Sequence, residues 1–335
     1  MTQSSTDFFQ ILLEKFHSRF FVLLDENVYK HHEKQLENID DRFYIYRFHS
    51  AESSKTLSEV SMIMSRLIDQ GFSKDDLIVN VGGGIVCDVG GFVASTYKRG
   101  IRFINVPTTL LAMIDAAHGG KNGVNHDHIK NCIGTIQLPE QVIIESDFLD
   151  TLPESELLNG FGELIKYALI ADRTMWTEIR QLFKLTRENI SPAWIFRCIE
   201  IKNELVTKDL HDKNERRILN FGHTVGHALE SFCSIQNRPL SHGHAVALGI
   251  CYESHISHLH NLIGKEEIDE IKNTIFRFFP PLEISPNSFP EIYALMKQDK
   301  KNSGNKLNMT LLRNIGEAIP NQIIPPPAPS CYKNF

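Results

Sequence analysis

The sequence predicts a chain of two domains, an α/β domain with a largely parallel sheet followed by an all-α domain. Up to residue 150, short apolar runs alternate with stretches whose apolar residues recur at helical spacing, a pattern typical of parallel α/β sheets. Beyond it, the apolar residues recur almost only at helical spacing. We therefore expect an α/β domain over residues 1–150 and a helical domain over residues 151–335.

The first half carries four apolar runs that predict strands. They lie at residues 20–27, 43–49, 76–84 and 101–109. Residues 58–71 instead carry apolar residues at helical spacing and end on Gly71, a residue type that commonly follows the end of a helix. Strands that are interleaved with helices in this way favour a parallel sheet.

The second half carries five stretches with apolar residues at helical spacing. They lie at residues 162–170, 192–206, 222–232, 245–259 and 266–279. A strand is predicted there only at residues 309–316, and the proline-rich residues 324–335 predict a loosely held tail.

The composition argues against several classes of protein. The net charge of -6 gives no broad electrostatic reason to bind nucleic acid or acidic membranes. No run of about 18 apolar residues predicts a membrane span, and the N-terminus lacks the pattern of a signal peptide. The six cysteines are scattered without a C-x-x-C pair, which favours reduced thiols in a cytoplasmic protein.

Three consecutive glycines, Gly82 to Gly84, join a predicted strand to a predicted helix. Such a turn lets backbone N–H groups approach a pyrophosphate at a helix N-terminus. Its spacing differs from G-x-G-x-x-G, so a tight turn without a ligand is an equally good interpretation. Asp25, at the end of the first predicted strand, is suited either to accept a hydrogen bond from a ribose hydroxyl or to form a turn.

His223 and His227 are four residues apart in a predicted helix, which places both imidazoles on one face. That spacing suits two ligands of one metal ion, and His242, His244 and Glu163 are further candidates. Two imidazoles, a carboxylate and an open position form a catalytic zinc arrangement. For most of the 15 histidines, a surface or core position is the better interpretation.

Several cations lie in glycine-rich, polar or apolar stretches. They are Arg99, Lys121, Lys130 (followed by Asn131), Lys166, Lys202, Arg216 and Lys300. Such cations can hold a phosphate and a carboxylate. Solvent exposure is the alternative for each, although the apolar stretch around Lys166 argues against it there.

Eight motifs occur in one order over residues 80–305. They are GGGIVCDVGGFVASTYKRGIRFINVPTTLLAMID, GGKNGVN, KNCIG, DFLDTLP, GELIKYALI, LNFGHTVGHALE, SHGHAVALG and QDKKNSG. In this order they resemble the dehydroquinate synthases, within the wider family of sugar-phosphate cyclases. Several long motifs in one order are far more specific than any single glycine turn.

The resemblance implies a Rossmann-like α/β domain that binds NAD, followed by an all-α domain that binds a metal ion and the substrate, typically in a homodimer. By the family's pattern, Glu163, His223 and His242 bind Zn²⁺, with Co²⁺ as an alternative. His227 then becomes a substrate or proton-transfer residue. This corrects the hypothesis, made from spacing alone, that both histidines of the pair are ligands.

The resemblance also implies the other site residues. The NAD contacts would be Asp25, Gly83, Gly84, Asp88, Thr108, Thr109, Phe148 and Thr151. The catalytic residues would be Lys121, Asn131, Lys166, Arg216 and His227. The remaining substrate contacts would be Arg99, Asp115, Lys130, Lys202, Asn220 and Lys300, with Lys301 as the alternative to Lys300.

The implied reaction converts 3-deoxy-D-arabino-heptulosonate 7-phosphate into 3-dehydroquinate and phosphate, a step of the shikimate pathway toward aromatic amino acids. A ring hydroxyl is transiently oxidised by NAD, phosphate leaves by elimination, the hydride returns, and the opened ring closes in an aldol step. The cations would hold the two anionic groups and stabilise the charge that develops on phosphate and enolate.

Three departures from the family's pattern bear on the substrate. Ala116, Ala117 and His118 precede the GGK motif, Asn122 follows it, and His244 stands where the family has a glutamate. His118 either reaches the substrate or is a tolerated replacement, and the second interpretation is favoured. His244 is expected to be no metal ligand, because the family's glutamate there is none.

Other functions remain as alternatives. They are a cyclase of another sugar phosphate, a metal- and NAD-dependent polyol dehydrogenase, and a non-catalytic NAD-binding protein. The retained GGK motif and the segment Asp299-Lys300-Lys301 favour dehydroquinate formation.

Overall fold

The computed structural model describes residues 7–36, 39–127, 129–297 and 307–324. The contacts between residues divide the chain into two compact units, Met1–Leu157 and Leu158–Phe335. The helices are α1 (Asp7–Lys15), α2 (Glu26–Leu36), α3 (Leu57–Asp69), α4 (Gly84–Thr96), α5 (Glu154–Ala171), α6 (Arg173–Ile179), α7 (Pro192–Lys208), α8 (His223–Ile235), α9 (His242–Leu259), α10 (Lys265–Phe276) and α11 (Phe289–Lys297). The strands are β1 (Phe20–Asp25), β2 (Phe43–Phe48), β3 (Leu77–Gly82), β4 (Arg102–Pro107), β5 (Lys121–His126), β6 (Ile129–Ile136), β7 (Gln141–Val142), β8 (Leu307–Asn314) and β9 (Glu317–Ile324).

The first unit is built on a parallel sheet of five strands in the order β2-β1-β3-β4-β7. Every residue of β1 and β3 is buried, which is the pattern of strands covered on both faces and explains why these runs are almost wholly apolar. The four predicted strands are confirmed as β1 to β4. The short β7 and the antiparallel pair of β5 and β6 were not predicted.

The hydrophobic core of this unit contains side chains from the sheet and from the helices that follow its strands. α3 contributes Val60, Ile63 and Leu67, whose spacing of three and four residues places them on one helical face. Thr56 caps this helix, because its side chain accepts a hydrogen bond from the backbone N–H of Glu59. The helix predicted over residues 58–71 is thereby confirmed.

The second unit is mainly helical, as predicted, and it also contains an antiparallel hairpin of β8 and β9. The sequence predicted the first of these strands but not the second, because β9 (EAIPNQII) includes Pro320 and polar residues, which a short two-stranded sheet tolerates. α5 begins directly after Pro153, well before its predicted start, with Glu154 and Glu156 favourably placed in its first turn. Among the helices of the described residues, none combines the length and apolar character needed to span a membrane.

Candidate metal site and nucleotide-binding turn

Three helices of the second unit approach each other closely because they meet at glycines. A Cβ atom on Gly243 of α9 would lie 1.9 Å from the backbone oxygen of Asn159 on α5. One on Gly162 of α5 would lie 2.2 Å from the backbone oxygen of Gly243. α8 meets α9 in the same way, since a Cβ atom on Gly249 would lie 1.9 Å from the backbone oxygen of Gly222. Any larger residue at these positions would force the helices apart.

The candidate ligands Glu163, His223 and His242 are each adjacent in sequence to one of these glycines. Nε2 of His223 and Nε2 of His242 each lie 3.2 Å from Oε1 of Glu163. One nitrogen or oxygen atom of each residue lies within 4.8 Å of the others, and within the described parts of the chain this is the only such cluster of three metal-binding side chains. A carboxylate and two imidazoles are the donors of many catalytic zinc sites, and Co²⁺ accepts the same donors, so the residues fit such an ion.

Glu163 places a negative charge at the centre of the cluster. Its side chain is 1% exposed, and Oε2 forms an ion pair with the ammonium group of Lys166, one turn along α5. Burial by itself would raise the pKa of Glu163, but Lys166 and the two histidines outweigh this effect and hold its pKa well below the usual value. The carboxylate is therefore ionised and available to a cation.

The two imidazoles differ in their outer partners. Nδ1 of His223 lies 3.1 Å from the backbone oxygen of Phe221, whereas Nδ1 of His242 lies 3.3 Å from Oε2 of Glu230. Burial lowers the pKa of His223. Burial would also lower the pKa of His242, but its hydrogen bonds to Glu163 and Glu230 raise it to about 10. A divalent cation would take the place of the proton that these carboxylates hold on His242.

His227 lies beside the cluster without belonging to it. Its ring centroid is 5.2 Å from that of His223 and 6.1 Å from that of His242, and its side chain is exposed. The spacing of four residues does place the rings of His223 and His227 side by side on α8. The third member of the cluster is instead His242 of α9. The hypothesis from spacing alone, that both histidines of α8 are ligands, is therefore wrong.

Three predicted cations of the second unit are buried rather than exposed to solvent. Lys166, Lys202 and Arg216 are 1%, 5% and 3% exposed. Nη1 of Arg216 donates a hydrogen bond of 2.8 Å to the backbone oxygen of Leu210. Half-buried Asn220 donates to a backbone oxygen one turn earlier in its own segment, at 3.1 Å. Water screens buried charges only weakly, so cations in these positions can attract an anion more strongly than exposed ones.

The glycine turn of the first unit lies where the order of the strands reverses. The chain passes from β1 to β2 on one side, and β3 lies on the other side of β1. In parallel sheets, ligands bind at the carboxyl ends of the strands at such a point. Asp25 ends β1 and Gly82 ends β3 beside it. The carboxylate of Asp25 accepts hydrogen bonds from the backbone N–H of Asn27, at 2.7 Å, and from the hydroxyl of Ser50, which fix its orientation.

Close packing favours glycine in this turn. A Cβ atom on Gly83 would lie 3.1 Å from Cγ2 of Thr109, and one on Gly84 would lie 3.1 Å from Cβ of Ala116. The backbone N–H of Thr108 donates a hydrogen bond of 3.0 Å to the last residue of β3. Four predicted NAD contacts therefore meet at the N-terminus of α4, where the helix dipole favours an anion.

The remaining predicted NAD contacts have different surroundings. Asp88 forms an ion pair with Lys55, whose side chain is buried. Phe148 is buried, and its ring centroid is 6.3 Å from that of Phe8. Thr151 is exposed. For Phe148, packing in the core is therefore as good an explanation as contact with a cofactor.

The predicted substrate residues of the first unit are mostly exposed. The exposed ones are Arg99, Lys121, Lys130 and Asn131, while Asp115 is half-buried. Exposure leaves a solvent-facing role open for each of them. Arg99 and Asn131 have φ angles of 66° and 51°, a conformation that residues other than glycine rarely adopt. Lys300 and Lys301 lie outside the described residues.

Three charged residues at these sites were not predicted from the sequence. Glu230 contacts His242, and its position seven residues after His223 could have indicated a shared helical face. Lys55 pairs with Asp88, and nothing in its local sequence marks it. Glu253 is fully buried and accepts a hydrogen bond of 2.7 Å from the backbone N–H of residue 222 at the start of α8. Its position inside an apolar helix could have indicated a buried acidic residue.

Comparison with known proteins identifies the family. Residues 45–159 match the family model "3-dehydroquinate synthase N-terminal", and residues 160–302 match "3-dehydroquinate synthase C-terminal". The chain is 36% identical, over 312 residues, to the 3-dehydroquinate synthase of Parabacteroides distasonis, an alignment that covers 92% of this chain and 88% of the relative. The chain belongs to the 3-dehydroquinate synthase family. The 3-dehydroquinate synthase of Streptococcus mutans is 38% identical over 290 residues, with 86% of this chain and 81% of the relative covered.

A solved structure of a related cyclase has the same fold. It is 2-deoxy-scyllo-inosose synthase complexed with carbaglucose-6-phosphate, NAD⁺ and Co²⁺, which is 27% identical to this chain. The TM-score is 0.77, and the match covers 93% of this chain and 88% of that one. The predicted fold class, an α/β domain followed by a helical domain in the manner of the 3-dehydroquinate synthase family, is confirmed.

Where the chain departs from the pattern of the 3-dehydroquinate synthase family, the new side chains have structural partners. His118 is 7% exposed, and its Nε2 lies 2.9 Å from the backbone oxygen of Met113. Asn122 donates hydrogen bonds of 2.9 and 3.0 Å to two backbone oxygens. Nε2 of His244 lies 2.8 Å from the backbone oxygen of Pro280, and His244 is not part of the metal-binding cluster. These contacts favour tolerated replacements over an altered site.

Proposed function

We propose that this chain is a 3-dehydroquinate synthase, which converts 3-deoxy-D-arabino-heptulosonate 7-phosphate into 3-dehydroquinate and phosphate. The observation that carries the proposal is the cluster of Glu163, His223 and His242 in a chain of this family. The substrate carries a phosphate and a carboxylate, and the buried cations of the second unit suit two anions. As an enzyme, the chain would be a carbon–oxygen lyase that depends on NAD and a metal ion.

Glu163, His223 and His242 would hold Zn²⁺ or Co²⁺. Such an ion, when bound, lowers the pKa of substrate hydroxyl groups and orients them. The ionised carboxylate of Glu163 and the hydrogen bond from Nδ1 of His223 to the backbone favour this use, because both leave a lone pair directed at the cluster. The related 2-deoxy-scyllo-inosose synthase, which was solved with Co²⁺, supports the choice of metal.

The turn at the switch point would hold NAD. When bound, NAD would supply reversible hydride transfer, so the overall reaction would involve no net oxidation. Asp25 would accept a hydrogen bond from a ribose hydroxyl, and the N-terminus of α4 would bind the pyrophosphate. The proposed contacts are Asp25, Gly83, Gly84, Asp88, Thr108, Thr109, Phe148 and Thr151.

The cations of the chain would bind the anionic groups and stabilise the charge that develops on them. Lys166 and Arg216 act from buried positions, where electrostatic interactions are stronger than in water. His227, exposed beside the ligand histidines, would bind the substrate or carry a proton. The proposed set is completed by Arg99, Asp115, Lys121, Lys130, Asn131, Lys202, Asn220 and Lys300.

The test is a phosphate-release assay with the purified chain, heptulosonate 7-phosphate, NAD and Zn²⁺, in which the absorbance of NADH is followed. Release of phosphate together with dehydroquinate, and without lasting NADH, is the expected result. Lasting NADH without phosphate would instead indicate a polyol dehydrogenase. No release with any sugar phosphate, by protein that binds the metal, would contradict the proposal and favour a non-catalytic protein.

A cyclase of another sugar phosphate is the second candidate, because the similarity to 2-deoxy-scyllo-inosose synthase extends over most of the chain. The same assay with glucose 6-phosphate or sedoheptulose 7-phosphate distinguishes it. Release from one of these and not from the heptulosonate would establish altered specificity. Reversion of His118 to a small residue would then be the first variant to examine.

We also propose that the chain acts in the cytoplasm as a homodimer. The described cysteines Cys87, Cys132, Cys198, Cys233 and Cys251 are free thiols, which suits a reducing compartment. Light scattering of the purified chain measures the mass, and a mass equal to that of one 38.2 kDa chain would contradict the dimer.

A further inference from the structure

We infer that Glu230 is a positioning residue of the metal site, whose carboxylate orients the imidazole of His242 so that Nε2 faces the metal ion. Oε2 of Glu230 lies 3.3 Å from Nδ1 of His242, and Nε2 of the same ring lies 3.2 Å from Oε1 of Glu163. The ring is therefore held at both nitrogens, each by a different carboxylate. The inference rests on the metal site of the proposed function and goes beyond its three ligands.

A hydrogen bond at Nδ1 decides which nitrogen can bind a metal. When Nδ1–H donates to Glu230, the lone pair lies on Nε2, the atom that faces Glu163. A carboxylate acceptor also makes the imidazole a stronger electron donor than a carbonyl acceptor does. Nδ1 of His223 instead contacts a backbone oxygen, that of Phe221, so the two ligands differ in strength.

The position of Glu230 on α8 explains how it reaches His242. It follows His223 by seven residues, which is two turns along the same face of the helix. α8 thus provides one ligand itself and orients another that belongs to α9. The side chains of His242 and Glu230 are 30% and 18% exposed, so their hydrogen bond is partly shielded from water.

The test compares the Zn²⁺ affinities of Glu230→Ala, Glu230→Gln and the unaltered chain, measured by competition with a chromogenic chelator. We expect the dissociation constant to rise about 10–100-fold in Glu230→Ala. Glutamine keeps an oxygen that accepts from Nδ1–H but lacks the charge, so its affinity should lie between the other two. This partial rescue would not arise from a residue that matters only for folding. Glu266→Ala, which removes an exposed carboxylate of α10, is the matched control and should leave the affinity unchanged.

An affinity of Glu230→Ala equal to that of Glu266→Ala would overturn the inference. If circular dichroism shows that the alanine variant does not fold, the glutamine variant decides, and unaltered affinity in Glu230→Gln would then overturn it. Failure of the proposed metal site gives a different result. In that case the unaltered chain would bind Zn²⁺ no more tightly than Glu163→Gln.

Discussion

Replacing Glu163 with glutamine would separate two roles of this carboxylate. Glu163 is the negatively charged member of the metal-binding cluster, and it is also the counter-charge of Lys166. Glutamine keeps the size of the side chain and removes its charge. We therefore expect loss of metal binding and of activity, together with a lower free energy of unfolding of the metal-free protein.

The burial of the ion pair sets the size of the loss in stability. The side chains of Lys166 and Glu163 are 2% and 1% exposed, so the lysine would keep its charge where water does not reach it. Removing one partner of a buried ion pair costs about 3–5 kcal/mol. The double variant Glu163→Gln/Lys166→Met removes both charges, so it should recover most of this loss without recovering metal binding.

Two assays distinguish the roles. Metal analysis after dialysis against Zn²⁺ reports the ligand role, and urea unfolding of the metal-free variants reports the ion pair. Unchanged metal content and turnover in Glu163→Gln would refute the ligand assignment. An unchanged free energy of unfolding in the single variant, or an equal loss in the single and double variants, would refute the argument from buried charge.

Three further predictions concern the packing that supports the site and the reactivity of a buried thiol. Gly243→Ala should lower the free energy of unfolding by about 1–3 kcal/mol and weaken Zn²⁺ binding, because its Cβ would lie 1.9 Å from the backbone oxygen of Asn159; urea unfolding and chelator competition measure the two effects. Glu253→Gln should lower the free energy of unfolding by about 1–3 kcal/mol, as urea unfolding would measure. The two carboxylate oxygens of Glu253 accept hydrogen bonds from the backbone N–H groups of Gly222 and Val225 at the start of α8, and glutamine would replace one of these oxygens with an NH₂ donor. Burial raises the pKa of Cys251 to about 12, so at pH 8 its thiol stays protonated and iodoacetamide should label it only after unfolding, as peptide mass spectrometry would show.

Each of these predictions has an outcome that contradicts it. Gly264→Ala is the control for the glycine contact, because a Cβ atom on Gly264 would lie 3.7 Å from its nearest neighbour, Oε2 of Glu267. Equal effects of Gly243→Ala and Gly264→Ala would contradict the explanation by close approach. Unaltered stability of Glu253→Gln would show that the buried carboxylate is not needed to hold the start of α8. Labelling of native Cys251 at pH 8, as fast as in urea, would contradict its burial.

The elements that depend on local periodicity were determined by the sequence. β1 and β3 are buried on both faces, so their apolar runs predict strands without further information. α3 presents its apolar residues at helical spacing, so its existence and its inner face follow from the pattern. The family followed from the order of long motifs, and Glu163, His223 and His242 followed from that family rather than from their spacing.

The tertiary structure alone decided which side chains meet. Spacing along one helix favours the pair of His223 and His227, but contact at the glycines of α5, α8 and α9 brings His242 to Glu163 instead. The contact of Glu230 with His242 likewise joins two separate helices. The ion pair of Lys166 with Glu163 lies within α5, but its burial depends on the segments packed around it. Periodicity shows which face of a segment is apolar. It does not show which other segment packs against that face or which polar atoms that segment brings, because these depend on the packing of residues far apart in the chain.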